Sequence, residues 1–173
     1  GIDSVLVYMP YYVGISESGG KTKVAYLYSE KKQLQLTEIV RQNAKLAKMH
    51  ATVLDVSNLK EGDSEAFNEL RVLSEWMAQQ NLFGDKLLMK GFNQDLADAI
   101  VEKYGTSYLL FTGIVSIQRS QTHCIYWSVL FDLSTGRYQV IKDDYYRQKD
   151  HENLLHAHIF DTLFQIKSKS KSK

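Results

Sequence analysis

A chain of 173 residues, 44% hydrophobic and 24% charged, has the length and composition of one globular domain with a sizeable core. Its 21 basic and 20 acidic residues leave a formal charge of +1, which excludes the one-signed field that nucleic acids or anionic membranes select. The single cysteine, Cys124, excludes an internal disulfide and a thiolate metal cluster, and no apolar run approaches the roughly 20 residues of a membrane-spanning helix.

Residues 4–13, S-V-L-V-Y-M-P-Y-Y-V, are β-branched and aromatic and predict a strand, with Pro10 marking an edge or a bend. The loop G-I-S-E-S-G-G and a second strand, K-T-K-V-A-Y-L-Y, complete a hairpin over 4–28 with a long flexible tip. Ser29 caps a helix running to about His50, with Leu36, Ile39, Val40, Asn43 and Ala47 on one face. After a short strand, T-V-L-D-V, Asp63 or Ser64 caps a second helix with Phe67, Leu70, Leu73 and Met77 inward, stopped at Gly84. A third helix starts at Asn93, buries Leu96, Ala99, Ile100 and Tyr104, and ends at Gly105.

Residues 105–146 alternate with period two and read as a three-strand antiparallel meander. Leu109, Phe111, Gly113, Val115 and Ile117 share one face of its first strand, and Ile125, Trp127, Val129 and Phe131 one face of the next. A D-L-S-T-G turn joins the second strand to the third. A last helix over 150–166, capped by Asp150, aligns Leu155, Ile159, Thr162, Leu163 and Ile166. The sum is an α+β fold: an antiparallel or mixed sheet with helices packed on one face, in a single domain over 1–166, followed by a Ser/Lys tail at 167–173. That tail, K-S-K-S-K-S-K, holds four of the basic residues; it is open to extending a helix, being a solvated linker or being the stub of a longer chain, and a charge run of this kind is usually just solubilising.

Each motif with chemical content meets a simpler explanation. Gly14 to Thr22, G-I-S-E-S-G-G-K-T, imitates a phosphate-binding loop but has five residues where that loop has four, and a strand follows instead of a helix. His151, His156 and His158 lack the i,i+3 or i,i+4 spacing of a metal pair; His158 fits a partly buried histidine with a local partner such as Asp161. His123 and Cys124 are strand neighbours and so face opposite sides of the sheet, as do Asp143 and Asp144. There is no G-x-S-x-G elbow. Catalytic, cofactor-binding and metal residues are therefore expected to be none, and the chain is not expected to be an enzyme. The 11 tyrosines, two pairs among them, leave one class of candidate: an interaction surface of Tyr145, Tyr146 and Arg147, with Tyr11 and Tyr12.

The run D-L-A-D-A-I-V-E-K-Y-G, then T-S-Y-L-L-F-T-G-I-V, then F-D-L-S-T-G-R, resembles the fold shared by curli-secretion-channel lipoproteins and the N-terminal domain of the Tol-system propeller protein. The resemblance spans 93–166 and rests on Gly105, Gly113, Asp132 and Gly136; the N-terminal half departs from it, with a hairpin and two long helices interposed. It implies a non-enzymatic scaffold or interaction domain of an exported bacterial protein, periplasmic or associated with the outer membrane. The expected partner is a protein or a second copy, with no nucleic acid. Membrane attachment is expected only through an N-terminal anchor upstream of Gly1, since a start without Met favours a removed leader. The alternative is a small-ligand-binding domain or enzyme with a site dispersed over Tyr8, Tyr11, Tyr12, His123 and Asp143.

Overall fold

The computed structural model describes residues 2–19, 21–25, 30–54, 64, 68, 70–72, 93–147, 149 and 152–169. Seven strands form one mixed sheet: β1 (Ser4–Tyr8), β2 (Tyr11–Ser18), β3 (Lys21–Ala25), β4 (His50–Leu54), β5 (Tyr108–Gln118), β6 (Thr122–Asp132) and β7 (Arg137–Tyr146). Among the described residues three long helices accompany them: α1 (Glu30–Leu46), α2 (Gln94–Tyr104) and α3 (Glu152–Ser168). The α+β fold with a mixed sheet stands as the sequence implied.

The centre of the sheet is β5. Along one edge it pairs antiparallel with β6 over its full length, and β6 pairs antiparallel with β7. Its other edge is shared by two strands in succession. Leu109 and Leu110 pair parallel with Leu6 and Val7 of β1, and Gly113 to Gln118 pair parallel with Tyr11 to Ser16 of β2. Pro10 lies between these two pairings, where its missing N–H removes one ladder bond and breaks the first expected strand in two. Beyond Pro10, β2 runs through Ser18, so most of the expected loop at 14–20 is strand, with Gly19 just past its end at φ 59°. On the far side of β1, β4 pairs parallel from Ser4↔His50 to Tyr8↔Leu54.

Helices cover both faces, where the sequence reading placed them on one. Leu36, Ile39, Val40 and Ala44 of α1, with Ala47 just past it, and Leu155, Ile159, Leu163 and Ile166 of α3 pack over Val5, Val7, Leu110, Ile114, Tyr126 and Leu130. On the opposite face Ala97 and Ile100 of α2, with Leu70, cover Leu6, Tyr8, Phe111, Val115, Trp127 and Phe131. The physical reason is visible in β5, whose residues 109–116 are buried without interruption, so both sides of the pleat need a cover.

Local chemistry explains the ends of the elements. Asn93 caps α2 by accepting from Asp95 N at 3.0 Å, and Gly105 closes it in the left-handed region at φ 68°. The buried residues of α2 are Ala97 and the expected Ile100; of the other expected residues, Leu96 and Tyr104 are half-buried and Ala99 is exposed. Asp132 accepts from Ser134 N and Ser134 Oγ, and Gly136 at φ 67° returns its N–H to Asp132 O at 2.8 Å, which forms the D-L-S-T-G turn. The expected caps Ser29, Asp63 and Asp150, with Phe67, Leu73, Met77, Gly84 and His151, lie outside the described residues.

Candidate functional site

Inside the face covered by α1 and α3 lies a buried polar network that the sequence reading did not foresee. Ser128 of β6 and His158 of α3 meet with Oγ and Nε2 2.9 Å apart, and His158 Nδ1 stands 3.3 Å from Asp144 Oδ2 of β7. The carboxylate only accepts, so Nδ1 carries the imidazole hydrogen and Nε2 accepts from the Ser128 hydroxyl. Thr112 Oγ1 lies 2.9 Å and Thr162 Oγ1 3.2 Å from Ser128 Oγ, and Thr162 also reaches His158 O at 2.8 Å. Asp144 in turn pairs with Lys142 at 3.2 Å, and Lys142 with Asp161 at 2.8 Å. Asp161 is therefore the partner of Lys142 and not, as expected, of His158.

Asp144, His158 and Ser128 stand in the order of a hydrolase triad. Their burial removes that role. Ser128 is 0% and His158 1% exposed, and the threonine hydroxyls occupy the space around Oγ that a substrate carbonyl would need. Burial pushes the His158 imidazole below its ordinary pKa, although Asp144 partly opposes it. Burial alone would lower Lys142, but its hydrogen bonds to Asp161 and Asp144 outweigh that and raise it. The network fastens α3 to the sheet. The same helix is tied to α1 through His156 Nδ1, 2.9 Å from the buried Asn43 Nδ2, which also donates to Ile39 O.

The residues of the dispersed alternative are not brought together. Tyr8 is buried beneath α2 with its ring 5.7 Å from Phe111, while Tyr12 lies on the α1 face with Lys32 Nζ 5.6 Å from its ring centroid. Asp143 and His123 lie on the α2 face of β7 and β6. Burial, then the Asp144 charge, raises the Asp143 carboxyl. A shallow crevice beside Pro10 and Gly113, between Leu36, Val40, Leu155 and Ile159, has no titratable side chain. Among the described residues no group of three or more His, Cys, Asp or Glu could hold a metal ion.

The tyrosine surface divides. Tyr145 is 55% exposed, and its hydroxyl lies 2.6 Å from His123 Nδ1 while the two rings stack at 5.5 Å and 21°. Arg147 is exposed beside it. Tyr146 turns the other way, into the core, edge-on to Tyr126 at 5.4 Å. Tyr12 is half-buried, and the side chain of Tyr11 lies outside what the structure describes. Period-two alternation along β7 would have separated Tyr145 from Tyr146; the His123 contact is cross-strand and has no local signal. Cys124, next to His123, is sealed on the opposite face, as the strand geometry required.

No family model matches the chain, and no curated protein matches it. Among solved structures, a PelC dodecamer from Paraburkholderia phytofirmans is similar at TM-score 0.44 and 9% identity, over 95% of this chain and 86% of that one. Lipoprotein GNA1162 from Neisseria meningitidis is similar at TM-score 0.38 and 13% identity, over 96% and 97%. The LpoB C-terminal domain from Salmonella enterica gives TM-score 0.32 and 19% identity, over 85% and 84%. None of these three is a curli-channel lipoprotein or a Tol propeller protein. They are likenesses of general chain path, and no function is carried across them.

Proposed function

We propose that this is a non-enzymatic protein-interaction domain of the bacterial envelope, which contacts its partner through the β7 end of the sheet. The observation that carries the reading is Tyr145, a half-exposed ring held still by a hydrogen bond and a stacking contact with His123. A surface tyrosine without a task is free to rotate; one fixed in place has lost that entropy before a partner arrives. Arg147 adds a cation beside the ring, and tyrosine and arginine are the side chains that anchor protein contacts. The strand itself is an edge, since among the described residues β7 pairs only with β6. Its register shift at Ser128/Val129 and its charged Lys142 and Asp143 discourage indiscriminate strand pairing.

The envelope setting rests on the sequence resemblance over 93–166. A photo-reactive phenylalanine at position 145 should give a discrete adduct in envelope extract, and Arg147→Ala should weaken it several-fold. The same probe at Leu34, an exposed position on α1, serves as control. Equal labelling from both positions would discard the reading.

A further inference from the structure

The formal charge of +1 conceals an uneven distribution. α1 and α3 run in the same direction: Asn43, in the last turn of α1, meets His156 near the start of α3, and Lys167 near the end of α3 reaches just past the end of α1, where its Nζ donates to Ala47 O and Lys48 O. Both C-termini therefore arrive at one end of the molecule, beside the start of β1, where Lys167 Nζ also lies 3.9 Å from Asp3 Oδ1. Lys45, Lys48, Lys167 and Lys169 gather there against Asp3, and the sequence continues with Lys171 and Lys173. Tyr146 and Arg147 lie at the opposite end, because Cys124 pairs with Tyr146 and Ser116 with Cys124.

The same end carries apolar side chains that the core does not use. Leu46, in the last turn of α1, is 69% exposed, and Phe164 of α3 is 58% exposed. Phe164 stacks on Phe160 with centroids 6.1 Å apart, and Phe160 packs against the core. Helix periodicity puts Phe160, Phe164 and Lys167 along one stripe of α3, next to the side that His156 presents to α1. Phe164 stands one turn before Lys167, whose Nζ touches Ala47 O just past Leu46. Two large exposed apolar groups ringed by lysines, on the convex ends of two parallel helices, offer no groove for a peptide. They match instead the interfacial layer of a bilayer, with apolar tips entering the acyl boundary and lysine stems snorkelling to the headgroups. The phosphates there attract the lysines of this end, Lys45 and Lys48 among them. No described helix is long and apolar enough to cross a membrane, so such contact is peripheral.

We propose that the shared C-terminal end of α1 and α3 docks on an anionic phospholipid surface. Co-sedimentation with vesicles of phosphatidylcholine alone, and with about one third phosphatidylglycerol, tests it. Partition is expected only with the anionic vesicles and should fall steeply with added salt. Lys45→Glu with Lys48→Glu should lower it by more than about tenfold, since each lysine near an anionic surface contributes roughly a factor of five. Leu46→Ser with Phe164→Ser should lower it about tenfold or more at unchanged circular dichroism. Equal binding to neutral vesicles, or full binding by either double variant, overturns the proposal. So does a loss of dimer by the Leu46/Phe164 variant in sedimentation velocity with vesicle binding unchanged. Cross-linking from position 145 should be the same in all these variants, which keeps this surface separate from the β7 contact.

Discussion

His158 exchanges solvent for Ser128 and Asp144, and the exchange has a sign in pH. Its folded pKa is pushed down by burial, while the unfolded chain takes up the proton at about pH 6.5. Below that pH the unfolded state binds more protons than the folded one, so stability is full above about pH 6.5 and declines as the pH falls. Asp143, raised by burial and by the Asp144 charge, acts with the opposite sign, but in the carboxylate range near pH 4. His158→Gln should flatten the dependence between about pH 7 and 5.5 in urea unfolding followed by circular dichroism; an unchanged slope would assign it to another histidine. His158→Ala should cost about 3 kcal/mol, the sum of a cavity and of polar groups left without their partner. At this scale the sequence showed less than the structure uses. That His156 and His158 point apart was evident from their spacing, and they reach α1 and the sheet respectively. The choice of Asp144 over Asp161 was not, because it depends on β7 passing beside α3, a contact between elements with no periodic trace. Gly136 was legible, since the turn needs a positive φ there. Nothing lies within 4 Å of an added Cβ, so Gly136→Ala should cost only the backbone strain of about 1 kcal/mol, and Gly136→Asn less.

Among the elements, α3 is the most heavily fastened. His156 ties it to α1, His158 and Asp161 tie it to β6 and β7, and Lys167 closes over the last carbonyls of α1. The stripe of Leu155, Ile159, Thr162, Leu163 and Ile166 read from the sequence is the buried stripe of the structure. The helix extends through Ser168, so Lys167, expected as the start of a solubilising tail, belongs to it. A cation at a helix C-terminus complements the dipole, and here one lysine serves the Ala47 and Lys48 carbonyls just past the end of α1, with Lys48 at φ 53°. Lys167→Met should lower stability by about 1 kcal/mol and speed amide exchange at Ala47 and Met49 ahead of the rest of the molecule. Uniform acceleration throughout would mean that the lysine acts on global stability alone. Helix ends governed by local residues, such as Asn93 and Gly105, were legible; an end capped from 120 positions away was not.

For the whole molecule, the antiparallel β5–β6–β7 meander followed from alternation and turn chemistry, while the parallel half of the sheet left no such mark. β1, β2 and β4 pair with strands distant in sequence, and a parallel pairing has no turn to announce it. Continuous burial on both sides of β5 also hid which face each helix would take. The division of β1 and β2 along one edge of β5 has a further consequence for synthesis. Leu6 pairs with Leu109, about 100 positions later, and Tyr12 with Ile114. A chain made from its N-terminus therefore presents β1 and β2 long before the β5 edge they share exists, with only β4 and β3 to pair with until then, and loop closure must precede any gain from pairing with β5. A nascent chain halted before Tyr108 should leave the amides of β1 unprotected in hydrogen exchange, and one that extends through Asp132 should protect them. Until β5 is made, the first strands depend on whatever holds the unfinished chain apart from its neighbours.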